Sequence, residues 1–145
     1  MLISVVVATY NRPDALGAVL RSLGKQNDSE FEVVVADDGS RSDTEDVVKR
    51  ARRSLQMPLT HVWQEDTGFR LAAVRNLATA RARGHYLIYL DGDCIVRHNF
   101  VRTHRDLSEI GWCVTGGRVL LSEAFTQQAL ANDITIEDWS IADAA

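Results

Sequence analysis

The feature that most constrains this chain is the run Leu2-Ile3-Ser4-Val5-Val6-Val7-Ala8, which breaks off at the polar residues Thr9-Tyr10-Asn11-Arg12. A nearly continuous β-branched stretch suits a strand covered on both faces, as in a parallel sheet flanked by helices. It is too short to span a bilayer and no basic segment precedes it, so it reads as a first strand, and the protein is expected to be cytoplasmic.

The same rhythm continues down the chain. Pro13 suits the first turn of a helix, and Leu16, Val19, Leu20 and Leu23 recur at helical spacing until Gly24. Phe31 to Ala36 forms a second apolar strand ending at Asp37-Asp38-Gly39-Ser40. Ser42 and Glu45 then make a capping-box pattern before a helical face of Val47, Val48, Ala51 and Leu55. Leu59 to Gln64 is a strand of mixed polarity followed by the loop Glu65-Asp66-Thr67-Gly68. Leu71, Val74, Leu77 and Ala78 give the buried side of a helix that Gly84 is expected to stop. Tyr86 to Leu90 is a further strand that delivers Asp91-Gly92-Asp93. Asn99 can cap a helix carrying Phe100, Val101, His104 and Leu107, and Cys113 to Leu121 is expected to return as a strand.

Alternating strands and helices of this kind imply an α/β, Rossmann-like, mostly parallel sheet with helices on both faces and right-handed crossovers. With 145 residues, 46% of them hydrophobic, the chain can build one ordinary core. Such sheets bind ligands at the carboxyl ends of their strands. Thr9-Tyr10-Asn11, Asp37-Asp38-Gly39 and Asp91-Gly92-Asp93 all fall at those ends, and one shared site explains all three.

A formal net charge of -4 supplies no basic field for nucleic acid, which is excluded as a main partner. Arg70, Arg75, Arg81 and Arg83 nevertheless cluster between acidic stretches, a pattern suited to a small anion. Cys94 and Cys113 lack zinc spacing and are expected to be reduced, buried thiols. His61, His85, His98 and His104 show no metal-ligand spacing, although His98 lies near Asp93.

Asp91 and Asp93 would repel each other at a strand end unless a cation or donor groups satisfied them, which suggests Mg²⁺ or Mn²⁺ shared with ligand phosphates. Gly92 would let a ligand approach the backbone. An isolated Asp-Gly-Asp is more often a solvated turn; the other strand-end clusters favour the metal. Asp37 and Asp38, taken alone, read as turn chemistry. Tyr10 either stacks on a nucleobase, with Thr9 and Asn11 hydrogen-bonding around it, or simply packs. Gly68 and Arg70 sit where a helix begins and an anion is favoured, Arg75 lies about one turn on, and guanidinium matches phosphate. Arg81 and Arg83 are expected on a solvated helix face. There is no G-x-G-x-x-G turn after the first strand and no G-x-x-x-x-G-K-[ST] loop, so nucleotide binding would rest on side chains and a metal.

In order, Val6-Val7-Ala8-Thr9-Tyr10-Asn11-Arg12, Val35-Ala36-Asp37-Asp38-Gly39-Ser40, Ala73-Val74-Arg75-Asn76 and Tyr89-Leu90-Asp91-Gly92-Asp93 closely resemble the inverting glycosyltransferases of family two, of GT-A fold. Gln64 to Arg70 looks like the bacterial polysaccharide and lipopolysaccharide subgroup, including chondroitin-polymerase-type domains. Each motif alone is weak, but four in this order are specific. The resemblance implies that Thr9, Tyr10 and Asp38 hold the nucleobase, with uracil expected. It implies that Arg75, helped by Gly68 and Arg70, holds ribose and diphosphate. Asp91 would contact ribose or a metal-bound water, and Asp93 would bind Mn²⁺ or Mg²⁺ directly. The reaction implied is a single inverting displacement that passes a sugar from a UDP-sugar to a glycan or lipid-linked saccharide, with peripheral membrane association open.

The resemblance runs to about Ser122, which divides the chain into a nucleotide-sugar-binding domain over 1–122 and a tail over 123–145 that would begin a missing or shortened acceptor region. The family's general base lies well beyond the D-x-D motif. Glu137-Asp138-Trp139 offers the acidic pair near the chain end, and Asp138 is the candidate base, although a surface role for that pair is favoured. A non-catalytic nucleotide-sugar-binding module is therefore the alternative. A haloacid-dehalogenase-type phosphotransferase ranks lower, since no threonine or later lysine accompanies Asp91 as that chemistry requires. Gly116, Gly117 and Arg118 are positions where the donor sugar would be met, with no readable code.

Overall fold

The computed structural model describes residues 1–132. In chain order its elements are β1 (Ile3–Thr9), α1 (Pro13–Gly24), β2 (Phe31–Asp37), α2 (Ser42–Ser54), β3 (Leu59–Trp63), α3 (Leu71–Thr79), β4 (Tyr86–Asp91), α4 (Phe100–Leu107) and α5 (Glu123–Asn132). The strands form one parallel sheet in the order β3-β2-β1-β4. Every residue of β1 and β2 is buried, as their largely apolar character anticipates, whereas in the edge strands β3 and β4 only Leu59 and Ile88 are buried.

Alternation along the strands feeds two cores. Ile3, Val5 and Val7 with Val33 and Val35 meet Leu16, Val19, Leu20 and Leu23 of α1, Val48 of α2 and Val101 of α4. On the opposite face Val6, Val34 and Ala36 meet Val74 and Ala78 of α3. Helices therefore cover both faces, as expected.

The α3 side of the sheet also buries charge. Ser4 and Glu32 are paired in register, and Glu32 is 2% exposed. Its carboxylate accepts from Ser4 Oγ at 2.7 Å, from the Arg83 backbone N–H at 2.6 Å and from Arg83 Nε at 2.8 Å. Burial alone would raise the Glu32 pKa; these hydrogen bonds and the Arg83 charge outweigh it and leave the carboxyl more acidic than usual. Arg83 is thus the partner of a buried carboxylate, not part of a solvated helix face, because α3 has already ended at Thr79. Gly84 likewise does not stop the helix. It passes so close to β1 that a Cβ there would lie 2.5 Å from Ser4 N.

Other local expectations also change. Ser42 is the first helical residue and Arg41 holds the cap position without a side-chain cap bond, so the capping box does not form; Glu45 instead pairs with Lys49 one turn on at 2.8 Å. Asn99 occupies the cap of α4, again without a side-chain cap bond. Leu77 is half-exposed, on the outer side of α3. Cys113 to Leu121 forms no strand: it contains Gly116-Gly117, and Val119 and Leu120 are exposed with no neighbouring strand among the described residues to pair them. Cys113, in the same stretch, is an exposed thiol and Cys94 a half-buried one. Beyond it, α5 packs on α1 and buries Ala129. Glu137, Asp138 and Trp139 lie outside the described residues. Among the described residues, no helix is long and apolar enough to cross a membrane.

Candidate functional site

Register lines up the carboxyl ends of the strands. Thr9 pairs with Asp37 and Asp37 with Trp63, while Ala8 pairs with Asp91. The loops that follow, after Thr9, Asp37, Trp63 and Asp91, therefore open at one end of the sheet.

Asp37 and Asp38 point to different work. Asp37 is 1% exposed; its Oδ1 accepts from the Ser40 N–H at 2.8 Å and its Oδ2 meets His61 Nε2 at 2.9 Å. It closes the turn, the ordinary role for such a residue. Asp38 is 4% exposed, and its backbone N–H donates to Thr9 O at 3.0 Å. Its Oδ2 accepts from the Arg70 backbone N–H at 2.9 Å, and its Oδ1 accepts from Gln64 Nε2. Gly39, at φ 91°, has no room for a side chain: a Cβ would lie 2.6 Å from Asp66 Cα, so the β2 and β3 loops touch there.

Tyr10 is half-exposed and donates to Asp66 Oδ2 at 3.0 Å. That hydrogen bond and the Asp66 charge raise its phenol pKa. Asn11 has φ 48°, and its Oδ1 accepts from the Arg41 N–H at 3.0 Å, so it shapes the loop. Thr9 is 6% exposed and its Oγ1 reaches no hydrogen-bond partner.

Across the sheet, Arg75 on α3 donates from Nη2 to Asp91 Oδ1 at 2.7 Å, and Arg118 Nη1 stands 3.6 Å from Asp91 Oδ2. Arg75 Nε is buried without a partner. Gly92 crosses over β1, its N–H donating to Ala8 O at 2.7 Å. Its missing side chain is needed by the fold as much as by any ligand, since a Cβ would meet that oxygen at 2.6 Å. One potential ligand atom from each of Asp91, Asp93 and Cys94 falls in a group within 4.8 Å of one another. Burial raises the Cys94 thiol pKa, and the charges of Asp93 and Asp91 push it the same way. The two carboxylates are therefore the available anionic donors, a set that fits a hard divalent cation such as Mg²⁺ or Mn²⁺.

Gly68 adopts φ 93° with open space on its Cβ side, and Arg70 holds the cap position of α3 with its Nη1 on Thr67 Oγ1 at 2.9 Å. Thr9, Tyr10, Asn11, Asp38, Gly68, Arg70, Arg75, Asp91, Gly92 and Asp93 are thus gathered along one end of the sheet. The His98 backbone carbonyl accepts from the Asn27 N–H at 2.9 Å, and Arg81 is exposed beyond the end of α3. The sequence reading missed Gln64, counted there as the end of a strand, and Asp66, counted as loop. The signal for Gln64 was its position at the close of β3, level with the Asp37-Asp38 turn.

Residues 4–134 match the model of glycosyl transferase family 2. The chain belongs to that family. Among relatives in it, validoxylamine A glucosyltransferase of Streptomyces hygroscopicus subsp. jinggangensis (strain 5008) is 38% identical over 104 residues, covering 70% of this chain and 24% of the relative. Chondroitin synthase of Escherichia coli is 36% identical over 106 residues, covering 72% of this chain and 15% of the relative. The chain therefore spans about a quarter or less of these family 2 relatives.

Solved structures agree on the α/β transferase fold. Staphylococcus aureus TarS in complex with UDP-GlcNAc superposes with a TM-score of 0.62 at 30% identity, covering 73% of this chain and 30% of that one. The mannosyltransferase PcManGT of Pyrobaculum calidifontis, in complex with GDP-Man and Mn²⁺, gives a TM-score of 0.62 at 27% identity over 68% of this chain and 30% of that one. Membership of family 2 leaves the dehalogenase-type reading without support.

Proposed function

We infer that this chain binds a nucleoside-diphosphate sugar, with a UDP-sugar the preferred donor, and that it serves an inverting transfer of the sugar to a glycan or lipid-linked saccharide. The observation that carries this reading is the placement of Asp38, Arg75, Asp91 and Asp93 at one sheet end, from three separate places: the loop after β2, helix α3 and the end of β4. In it, 1–122 is the donor-binding unit and α5 begins the acceptor side.

Asp38 and Thr9 offer hydrogen-bonding groups to the base, and Tyr10 offers its ring face. Arg75, with Arg70 and the open turn at Gly68, offers positive charge to the diphosphate. Asp93, with Asp91 beside it, would hold Mn²⁺ or Mg²⁺, which when bound stabilises charge on a departing nucleoside diphosphate. Asp91, already held by Arg75, is oriented for ribose or for a water on the cation. Asp138 is the proposed base for the acceptor hydroxyl.

The decisive experiment incubates the purified chain with UDP-sugars, Mn²⁺ and a saccharide acceptor and follows UDP release. Release that depends on acceptor supports transfer. Metal-dependent UDP binding without release supports the alternative, a donor-binding module. Absence of UDP binding overturns the uridine preference, and absence of binding by UDP and GDP alike overturns both readings.

A further inference from the structure

Among the described residues, four buried side-chain polar atoms reach no hydrogen-bond partner, and three of them, Thr9 Oγ1, Gln64 Oε1 and Arg75 Nε, lie at this strand end. Gln64 is the one whose orientation chemistry dictates. It is 8% exposed, and its Nε2 donates both to Asp38 Oδ1 and to the Arg70 backbone carbonyl at 3.2 Å. Turning the amide over would set its oxygen against a carboxylate and a carbonyl, three acceptors with no hydrogen between them. Oε1 is therefore fixed on the other side, desolvated and without a donor.

The same contacts fix Asp38. Gln64 holds Oδ1 and the Arg70 N–H holds Oδ2, so the carboxylate cannot rotate, yet each oxygen retains further acceptor capacity. Asp38 and Gln64 thus form a rigid pair of acceptors. A buried acceptor left unpaired costs its full desolvation, so a ligand N–H placed there is rewarded and a ligand lone pair is rejected.

We propose that Gln64 sets nucleobase selectivity: it orients Asp38 and adds its own Oε1 to an acceptor edge that admits a base with a ring N–H on its pairing edge. Uracil and guanine carry that hydrogen. Cytosine and adenine present a bare ring nitrogen at the corresponding position and are turned away. Gln64 is a positioning residue toward Asp38 and a direct contact through Oε1. The inference rests on the strand end being a nucleoside diphosphate site.

The test is calorimetric titration of the full chain, in Mn²⁺, with UDP, GDP, CDP, ADP and inorganic pyrophosphate, for the wild type, Gln64→Met and Gln64→Glu. Methionine keeps the volume and removes the polar atoms; glutamate removes the amide hydrogens and sets a second carboxylate against Asp38. The wild type should bind UDP or GDP at least about tenfold more tightly than CDP and ADP, the worth of one hydrogen bond to a charged group. Which of the two leads separates a uracil site from a guanine site. Both variants should bring that ratio toward one while pyrophosphate affinity holds. A ratio of two ligands on one sample does not depend on the fraction folded, so a merely structural role leaves it unmoved. Variants that keep the wild-type ratio, or a wild type that binds all four nucleotides equally, overturn the role of Gln64 alone. A wild type that binds none of the nucleotides overturns the underlying site reading as well.

Discussion

Arg75 and Asp91 face each other across the space between α3 and the end of β4, Nη2 to Oδ1 at 2.7 Å, while Arg75 Nε stays buried and unpartnered. A diphosphate arriving there meets a guanidinium already aimed and partly neutralised, so its oxygens compete with Asp91 for the same donors. Arg75→Ala should therefore weaken UDP about tenfold to a hundredfold, the loss of one or two charge-assisted hydrogen bonds, and leave uridine nearly unchanged. Equal losses for UDP and uridine by titration calorimetry would contradict the phosphate role.

Asp93 is exposed and forms no ion pair among the described residues, so little of the fold depends on it. Asp93→Ala should leave the unfolding free energy within about 0.5 kcal/mol of wild type. The Mn²⁺ dependence of UDP binding should disappear with it. Wild-type UDP affinity in Mn²⁺ would remove Asp93 from the metal site.

Gly92 should tolerate no side chain, because the Ala8 carbonyl occupies the space at 2.6 Å. Gly92→Ala must push β4 and β1 apart at their carboxyl ends and should cost about 1–3 kcal/mol. A urea midpoint equal to wild type would show that the loop moves freely, against the close crossing described.

Arg105 and Asp28 make an acid-sensitive contact. Arg105 donates to both Asp28 oxygens, at 2.7 and 2.9 Å, and the two side chains are 18% and 7% exposed. The Arg105 hydrogen bond, opposed by burial, holds the Asp28 carboxyl below its ordinary pKa. The unfolded chain therefore takes up the proton first, so this stability is complete above the unfolded value near 4 and is lost as pH falls through the lower folded value. The unfolding free energy of the wild type should drop more steeply below about pH 4 than that of Asp28→Asn. At neutral pH, Arg105→Ala strands a buried carboxylate and should cost about 3 kcal/mol. Parallel acid limbs for wild type and Asp28→Asn would rule the linkage out.

Much of this architecture was legible in the chain because its signals are local. The apolar runs at Val5-Val6-Val7 and Val33-Val34-Val35 left no alternative to doubly covered strands, and the polar residues that end them had to share one end of a parallel sheet. Asp38 and Asp91 were placed at that end for that reason, and Arg75 was picked out by its position in the first turns of the helix after Gly68 and by the family resemblance. What escaped notice depends on contacts between distant segments. Nothing near Arg83 in sequence announces that its partner is Glu32, 51 residues earlier. Gln64 looked like the tail of a strand because its importance comes from Asp38 and Arg70, which only folding brings to it. Cys113 to Leu121 had the composition of a strand, but a strand exists only beside another, and composition carries no information about the neighbour.

The register that ties Ala8 to Asp91 and Thr9 to Asp37 gives the whole assembly a common footing. Parallel strands joined by continuous ladders cannot slide singly, so the acid pair at the end of β4 and the acceptors after β2 keep their spacing whatever occupies them. Accommodation of ligands of different size must then fall on the turns that rise from that footing, above all on Thr67-Gly68-Phe69, where Gly68 has open space beside it and Phe69 is exposed, between Gln64 and Arg70, which are both bound to Asp38.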